Sequence, residues 1–501
     1  MLKVVPSPRQ QVVYDTWKNT DQNILIQAVA GGAKTTTLMG ILALCEYRTL
    51  FLAFNKSIQE EISHRIEKAE YTHAKAMTLH SLGLQAIKYH YGNGKVIVNA
   101  NKNYDLLRTV QNYNKKLFAD FSWEEKAKVN ITLMEMNDIS RLFLTNSKDE
   151  IFAYMDTMDK YYYEAGNIEE LWGLWLQIRE WSYDEPKLVV DFIDMIYLPV
   201  NYNLLIPIQP YYLAIDEAQD LNLVQHKFIS NLIDQGDIHK WVAVGDRNQA
   251  IYGFSGSYAS SFDKFREREN VVELPLDVCY RCPSSIIREA NRVYNVMTGF
   301  KSDEGIVGEI DQLIHIKPGS MVICRNTAPL LDVYFSLFSL DKKVYLKGED
   351  LANTINRLLK PYQYKTISQT KIILTHLYNE ANSIVDMSKE QRIKMYKLKD
   401  NLKIFTILAK NYPDKKGKIQ DLLTKFDALF NSKEDPDSIT LCTIHKSKGL
   451  EADIVYILNE NLIPSKFAVS PSQLEQEENL RYVARTRAKK EMYYLNLDLN
   501  E

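Results

Sequence analysis

A chain of 501 residues is too long for one hydrophobic core, so several folding units are expected. Its 46% hydrophobic and 25% charged residues suit a globular protein, and no apolar run approaches the roughly 20 residues that cross a bilayer. A net charge of −3 excludes a broad basic sheath for nucleic acid, so any such contact must be local.

The N-terminus, Met1 to Pro6, lacks the long apolar stretch of a secretory leader. Five scattered cysteines make no disulfide framework, and the expected location is the reducing cytoplasm. Cys279 and Cys282 form a C-x-x-C with no second Cys or His pair at zinc spacing, which reads as ordinary thiols.

Residues 1 to 85 alternate strand and helix: the apolar run Ile24-Leu25-Ile26, a Gly-containing turn, a helical stretch to about Cys45, then a strand from Thr49 to Phe54. Residues 86 to 205 break that rhythm and read as a mostly helical insertion, in which Tyr161-Tyr162-Tyr163, Trp172, Trp175 and Trp181 serve packing. From Tyr211 the α/β rhythm resumes and passes into a second α/β unit, which a charged segment from 345 to 436 interrupts. Ile439-Thr440-Leu441 and the run from Ile454 to Leu458 return as buried strands of that unit. The expected division is 1–85 with 206–265, insertion 86–205, then 266–344 with 437–501, insertion 345–436.

After the first strand comes Ala28-Val29-Ala30-Gly31-Gly32-Ala33-Lys34-Thr35-Thr36, followed by a helix. Small residues let backbone N–H groups close around phosphate oxygens, and the helix N-terminus adds a favourable dipole. Lys34 is expected to neutralise β and γ phosphates, and the Thr35 hydroxyl to ligate Mg²⁺. The usual loop has Gly where Ala28 and Ala33 stand, and Ala33 fits freely only if its φ is negative. Further on, Leu213-Ala214-Ile215 leads into Asp216-Glu217. That places a Mg²⁺-holding carboxylate, Asp216, beside Glu217, a base for the attacking water.

With these motifs in hand, the sequence resembles the UvrD/Rep-type helicases of superfamily 1, from Gln10 to Ala488. The resemblance implies two RecA-like P-loop domains in tandem, each interrupted by an insertion, with ATP between them. It implies that Gln10 reads adenine and that Tyr280 stacks on it. It further implies that Gln249 and Arg281 meet the γ-phosphate, that Glu451 meets the ribose or phosphates, and that Arg487 is the arginine finger. Arginine suits these phosphate roles because its planar guanidinium binds in bidentate fashion and stays charged. Phe54, Asn55, Lys56, His80, Tyr252, Phe254, His445 and Lys446 stand where the family touches the DNA strand. Two positions depart from the family: Ser255 and Thr36 stand where it commonly has arginine.

The implied activity is ATP-dependent translocation on single-stranded DNA, 3′ to 5′, with unwinding at single/double-strand junctions and no membrane partner. The alternatives are a translocase that displaces proteins without unwinding, or a nucleotide-gated DNA clamp with weak hydrolysis. The short second insertion suggests a compact, phage-like version.

Overall fold

The computed structural model describes residues 5–119, 121, 123–157, 168–183, 188–236, 238–251, 261–347, 355, 358–384, 387, 389–411, 417–430, 435–466 and 468–497. They form two compact units, Met1–Asp277 and Val278–Glu501.

The strands of the first unit are β1 (Asn23–Ala28), β2 (Thr49–Ala53), β3 (Ala74–Thr78), β4 (Val96–Val98), β5 (Leu188–Val190), β6 (Tyr212–Ile215), β7 (Lys240–Gly245) and β8 (Val271–Leu276). Among the described residues β4 pairs only with β5, and the other six strands form one parallel sheet in the order β3-β2-β6-β7-β1-β8. Every residue of β2 and β7 is buried, as befits parallel strands covered on both faces. Alternation along β1 explains the two layers. Ile24 and Ile26 pack with Val13 and Leu38 of α1 (Pro8–Asn19) and α2 (Lys34–Leu42), and with Ile62 of α3 (Lys56–Lys68). Leu25 instead faces a cluster with Leu82 of α4 (Leu79–Tyr91) on the opposite side.

β8 lies beside β1, with Ile24 opposite Val272 and Ala28 opposite Leu276. The segment expected to open the second domain from residue 266 is therefore the edge of the first sheet. An apolar run shows that a strand exists, but not which sheet takes it.

The insertion contains α5 (Lys102–Tyr113), α6 (Lys115–Ala119), α7 (Trp123–Leu142), α8 (Lys148–Thr157) and α9 (Ile168–Trp181). Its own core runs from Leu107 to Ile178, with Trp175 fully buried and Trp172 and Trp181 packed against it; Tyr161 to Tyr163 lie outside the described residues. Residues Ile196, Tyr197 and Leu198 of α10 (Asp194–Asn201) join the sheet-side cluster, together with Phe228 of α11 (Leu223–Gln235). A buried charge cluster ties insertion to base. Lys102 donates to Asp194 at 2.6 Å, and Arg141 donates to Asp191 and Asp194 at 2.7 and 2.8 Å.

In the second unit β9 (Val278–Cys279) pairs with β10 (Thr298–Gly299). The main sheet comprises β11 (Ile306–Ile310), β12 (Met321–Cys324), β13 (Val344–Leu346), β14 (Ile439–Thr443), β15 (Ala452–Leu458) and β16 (Ala488–Leu495). These six are again all parallel, in the order β11-β16-β15-β12-β14-β13. Two six-stranded parallel sheets with helical connections agree with the expected tandem α/β architecture. The described residues of the second insertion pack into the core of the sheet. Ile367, Leu374, Phe405 and Leu422 share one cluster with Val322 and Leu441 of the sheet and with Leu331 and Leu337 from the helix Thr327–Ser339. No helix among the described residues is long and apolar enough to cross a membrane.

Candidate nucleotide-binding and DNA-contacting residues

β1 runs into the glycine-containing turn, and α2 starts at Lys34. Gly31 and Ala33 are both left-handed, with φ of 69° and 59°. A Cβ on Gly32 would meet the carbonyl oxygens of Leu276 and Val29 at 2.9 Å, so the close backbone approach requires glycine. Ala33 thus takes the strained branch of its two options, at a cost of about 1 kcal/mol. The turn is held nonetheless: Gly32 N–H donates to Val29, and both the N–H and the hydroxyl of Thr37 donate to the Ala33 carbonyl at 2.9 Å. Ala30 is buried beneath it, and Thr36 is exposed.

Lys34 meets the carboxylates that follow β6. Its ammonium donates to Glu217 at 3.0 Å, while the Thr35 hydroxyl lies 3.4 Å from Asp216 Oδ2. Asp216 and Glu217 stand just past the strand end, with Glu217 left-handed at φ 51°, so adjacent acids turn toward one site. Burial, reinforced by the charge of Glu217, pushes Asp216 up to about 7. Burial opposes the Lys34 ammonium, but Glu217, Asp246 and Asp216 more than offset it and hold its pKa above the ordinary range. A buried carboxylate beside a hydroxyl is a hard-oxygen pair that fits Mg²⁺, and the turn with Lys34 fits a polyphosphate.

The carboxylates also reach the end of β7. Gln219 donates to Glu217 at 2.5 Å and accepts from the Asp246 N–H at 3.0 Å, and the Gln249 amide donates to Asp246 at 2.6 Å. Lys34, Glu217, Gln219, Asp246 and Gln249 therefore form one continuous chain of contacts. Gln219 and Asp246 receive no role from the sequence. Their spacing after Glu217 and before Gln249 was the available signal. Gln10 is buried in a capping box: its Oε1 accepts from Ser7 N–H, and its Nε2 donates to the Thr37 hydroxyl at 3.1 Å.

The same C-terminal sheet edge carries the expected strand contacts. Phe54 follows β2 half-buried, Asn55 caps α3 by accepting from Ile58 N–H, and Lys56 is exposed with Glu60 at 3.6 Å. His80 opens α4, and burial lowers its pKa. Edge-on to His80, at 6.2 Å between ring centroids, stands Phe192, which is 58% exposed. Sequence reasoning missed this aromatic because it lies far along the chain beside an apolar run. Tyr252, Phe254 and Ser255 lie outside the described residues.

In the second unit Arg281 donates to Glu451 at 2.8 Å and to the Thr486 carbonyl at 3.1 Å. Tyr280 lies against Phe300. Arg487 is 1% exposed and donates to the carbonyls of Val483 and Leu450 at 2.9 and 3.2 Å. Its neighbour Arg485 is held by Glu460 at 2.9 and 3.1 Å. Cys279 and Cys282, the thiols flanking Tyr280 and Arg281, are both buried. His445 and Lys446 follow β14 on a turn capped by Thr443. Burial, with help from Arg325, lowers His445 to about 3, so its imidazole is neutral at ordinary pH.

The sequence profile of the UvrD/REP helicase N-terminal domain matches residues 9–270. The chain belongs to this helicase family. Among its relatives, the F-box DNA helicase protein 1 of Schizosaccharomyces pombe is 25% identical over 64% of this chain and 37% of its own length. DNA helicase II of Haemophilus influenzae is 25% identical over 54% of this chain and 38% of its own. The ATP-dependent DNA helicase PcrA of Bacillus subtilis is 21% identical over 96% of this chain and 81% of its own. The chain therefore spans under two fifths of the first two relatives and most of the third. The profile match covers the turn at Lys34, the Asp216–Glu217 pair and Gln249 of this UvrD/REP member, but not Arg281, Glu451 or Arg487.

Proposed function

We propose that this chain is an ATP-driven motor that moves 3′ to 5′ along single-stranded DNA and unwinds duplex DNA at single/double-strand junctions. The observation that carries the reading is the contact chain from Lys34 through Glu217, Gln219 and Asp246 to Gln249, which links a phosphate-binding cation to groups beyond the next strand. Lys34 neutralises the phosphates, Glu217 takes a proton from the attacking water, and Gln249, oriented by Asp246, reports the γ-phosphate. Mg²⁺, when bound by Thr35 and Asp216, supplies charge neutralisation on the phosphate oxygens. The family resemblance supports Gln10 and Tyr280 as adenine contacts and Arg281, Glu451 and Arg487 as ribose or phosphate contacts. Phe54, Asn55, Lys56, His80, Tyr252, Phe254, His445 and Lys446 touch the strand, and the exposed ring of Phe192 supports adding it to them. The direction rests on the family resemblance.

ATP turnover with and without single-stranded DNA, followed by unwinding of duplexes tailed on either end, tests this reading. DNA-stimulated turnover that Lys34→Ala abolishes, with displacement only from a 3′ tail, is expected. Absence of stimulation in the unaltered chain sinks the motor. The left-handed Ala33 favours a second reading, a nucleotide-gated DNA clamp with slow hydrolysis. Tight nucleotide-dependent DNA binding without stimulated turnover is its signature.

A further inference from the structure

Phe300 is 68% exposed, yet its backbone is fixed. β10 pairs with β9 in the register Thr298 opposite Val278 and Gly299 opposite Cys279, and the Phe300 N–H donates to the Cys279 carbonyl at 3.1 Å. This ladder brings its ring to that of Tyr280, with centroids 4.8 Å apart and planes inclined at 44°. Each ring is followed in sequence by a cation, Arg281 and Lys301. Arg281 donates to Glu451 at 2.8 Å. Lys301 donates at 3.1 Å to the carbonyl of Lys489, whose ammonium lies 3.8 Å from the same Glu451. Two rings therefore stand beside one charged cluster.

A lone exposed phenylalanine needs no explanation. One held by a backbone ladder against a second ring, beside an arginine, a lysine and a carboxylate, has the composition of a nucleotide subsite: π surface for a base, polar groups for sugar and phosphate. At that distance and tilt the two rings pack on each other rather than share a plane, so Phe300 braces the Tyr280 ring against which a base would lie.

We propose that Phe300 braces the Tyr280 ring on which the adenine base stacks, which makes Phe300 a positioning residue for that base. This rests on the reading of Tyr280, Arg281 and Glu451 as nucleotide contacts. The test is calorimetric titration of the full chain with Mg-ATP, with Mg-tripolyphosphate, which has no base, and with a single-stranded oligonucleotide. Phe300→Ala is expected to weaken ATP about tenfold, the loss of roughly one stacking contact, and to leave tripolyphosphate unchanged. Phe300→Trp, which restores a ring, is expected to recover ATP affinity. Unchanged ATP affinity in Phe300→Ala, equal losses of ATP and tripolyphosphate, or a loss confined to the oligonucleotide each overturns the proposal. If the unaltered chain binds tripolyphosphate but gains nothing from the base, the stacking surface fails while the phosphate site stands. If it binds neither ligand, the nucleotide reading falls too.

Discussion

Ala33 shows how far a single backbone angle can matter. At φ 59° its methyl group crowds its own backbone, which glycine avoids at the expense of some unfolded-chain entropy. Ala33→Gly is expected to stabilise the protein by about 0.5 to 1 kcal/mol, raising the first melting transition by about 2 °C, with turnover at or above the original. A lowered melting temperature in a thermal scan would refute the strain. At this scale the sequence was informative about chemistry and silent about conformation. Lys34, Asp216 and Glu217 stand out in the sequence because phosphate and water chemistry calls for their residue types, and the fold brings Lys34 to Glu217 and Thr35 to Asp216. The sign of φ at Ala33 was not, because both branches suit a strand-to-helix turn. Nor was the burial of Arg487, since Thr486-Arg487-Ala488 suits a guanidinium in water as well as one donating to Val483 and Leu450.

Among the elements, the joint between α5, α7 and α10 rests on charge rather than grease. Asp194 is fully buried, accepts from Lys102 and Arg141, and also accepts from the Tyr183 hydroxyl at 2.9 Å. Burial alone would raise its pKa, but Arg141 and Lys102 more than offset this and lower it. A carboxylate depressed in the fold stabilises above its unfolded pKa, and that contribution is lost as pH falls through the folded value. Asp194→Ala leaves two cations buried beside fewer acids and is expected to cost about 3 to 5 kcal/mol. The checks are earlier denaturant unfolding, faster proteolysis within the insertion and a flatter acid limb of the stability curve. Stability within 1 kcal/mol of the original would show the cluster to be dispensable. Sequence reasoning found a mostly helical insertion with packed tryptophans, and Trp175 sits in its core. It did not find this joint, because a lysine or arginine on a helix ordinarily marks a solvated face.

Across the whole molecule, the two parallel sheets were readable from apolar runs spaced by helical stretches, but strand allegiance and the standing of the insertions were not. β8 reads equally well as the last strand of one sheet or the first of another, and only its register with β1 assigns it. The second insertion read as a charged interruption, yet its buried face completes the core under Leu331 and Leu337. Replacing residues 355–430 with a short flexible linker is therefore expected to abolish cooperative unfolding of the second unit and to expose dye-binding apolar surface. A shortened chain that melts cooperatively at the original temperature would show the insertion to be a separate appendage.

The Lys34–Glu217 ion pair also acts as an interlock. One ammonium cannot serve a carboxylate and a triphosphate at full strength together. In the motor proposed above, a phosphate that draws Lys34 away takes this cation from Glu217 at the moment a proton must be taken from water. On that reading the substrate's own charge releases the residue that acts on it.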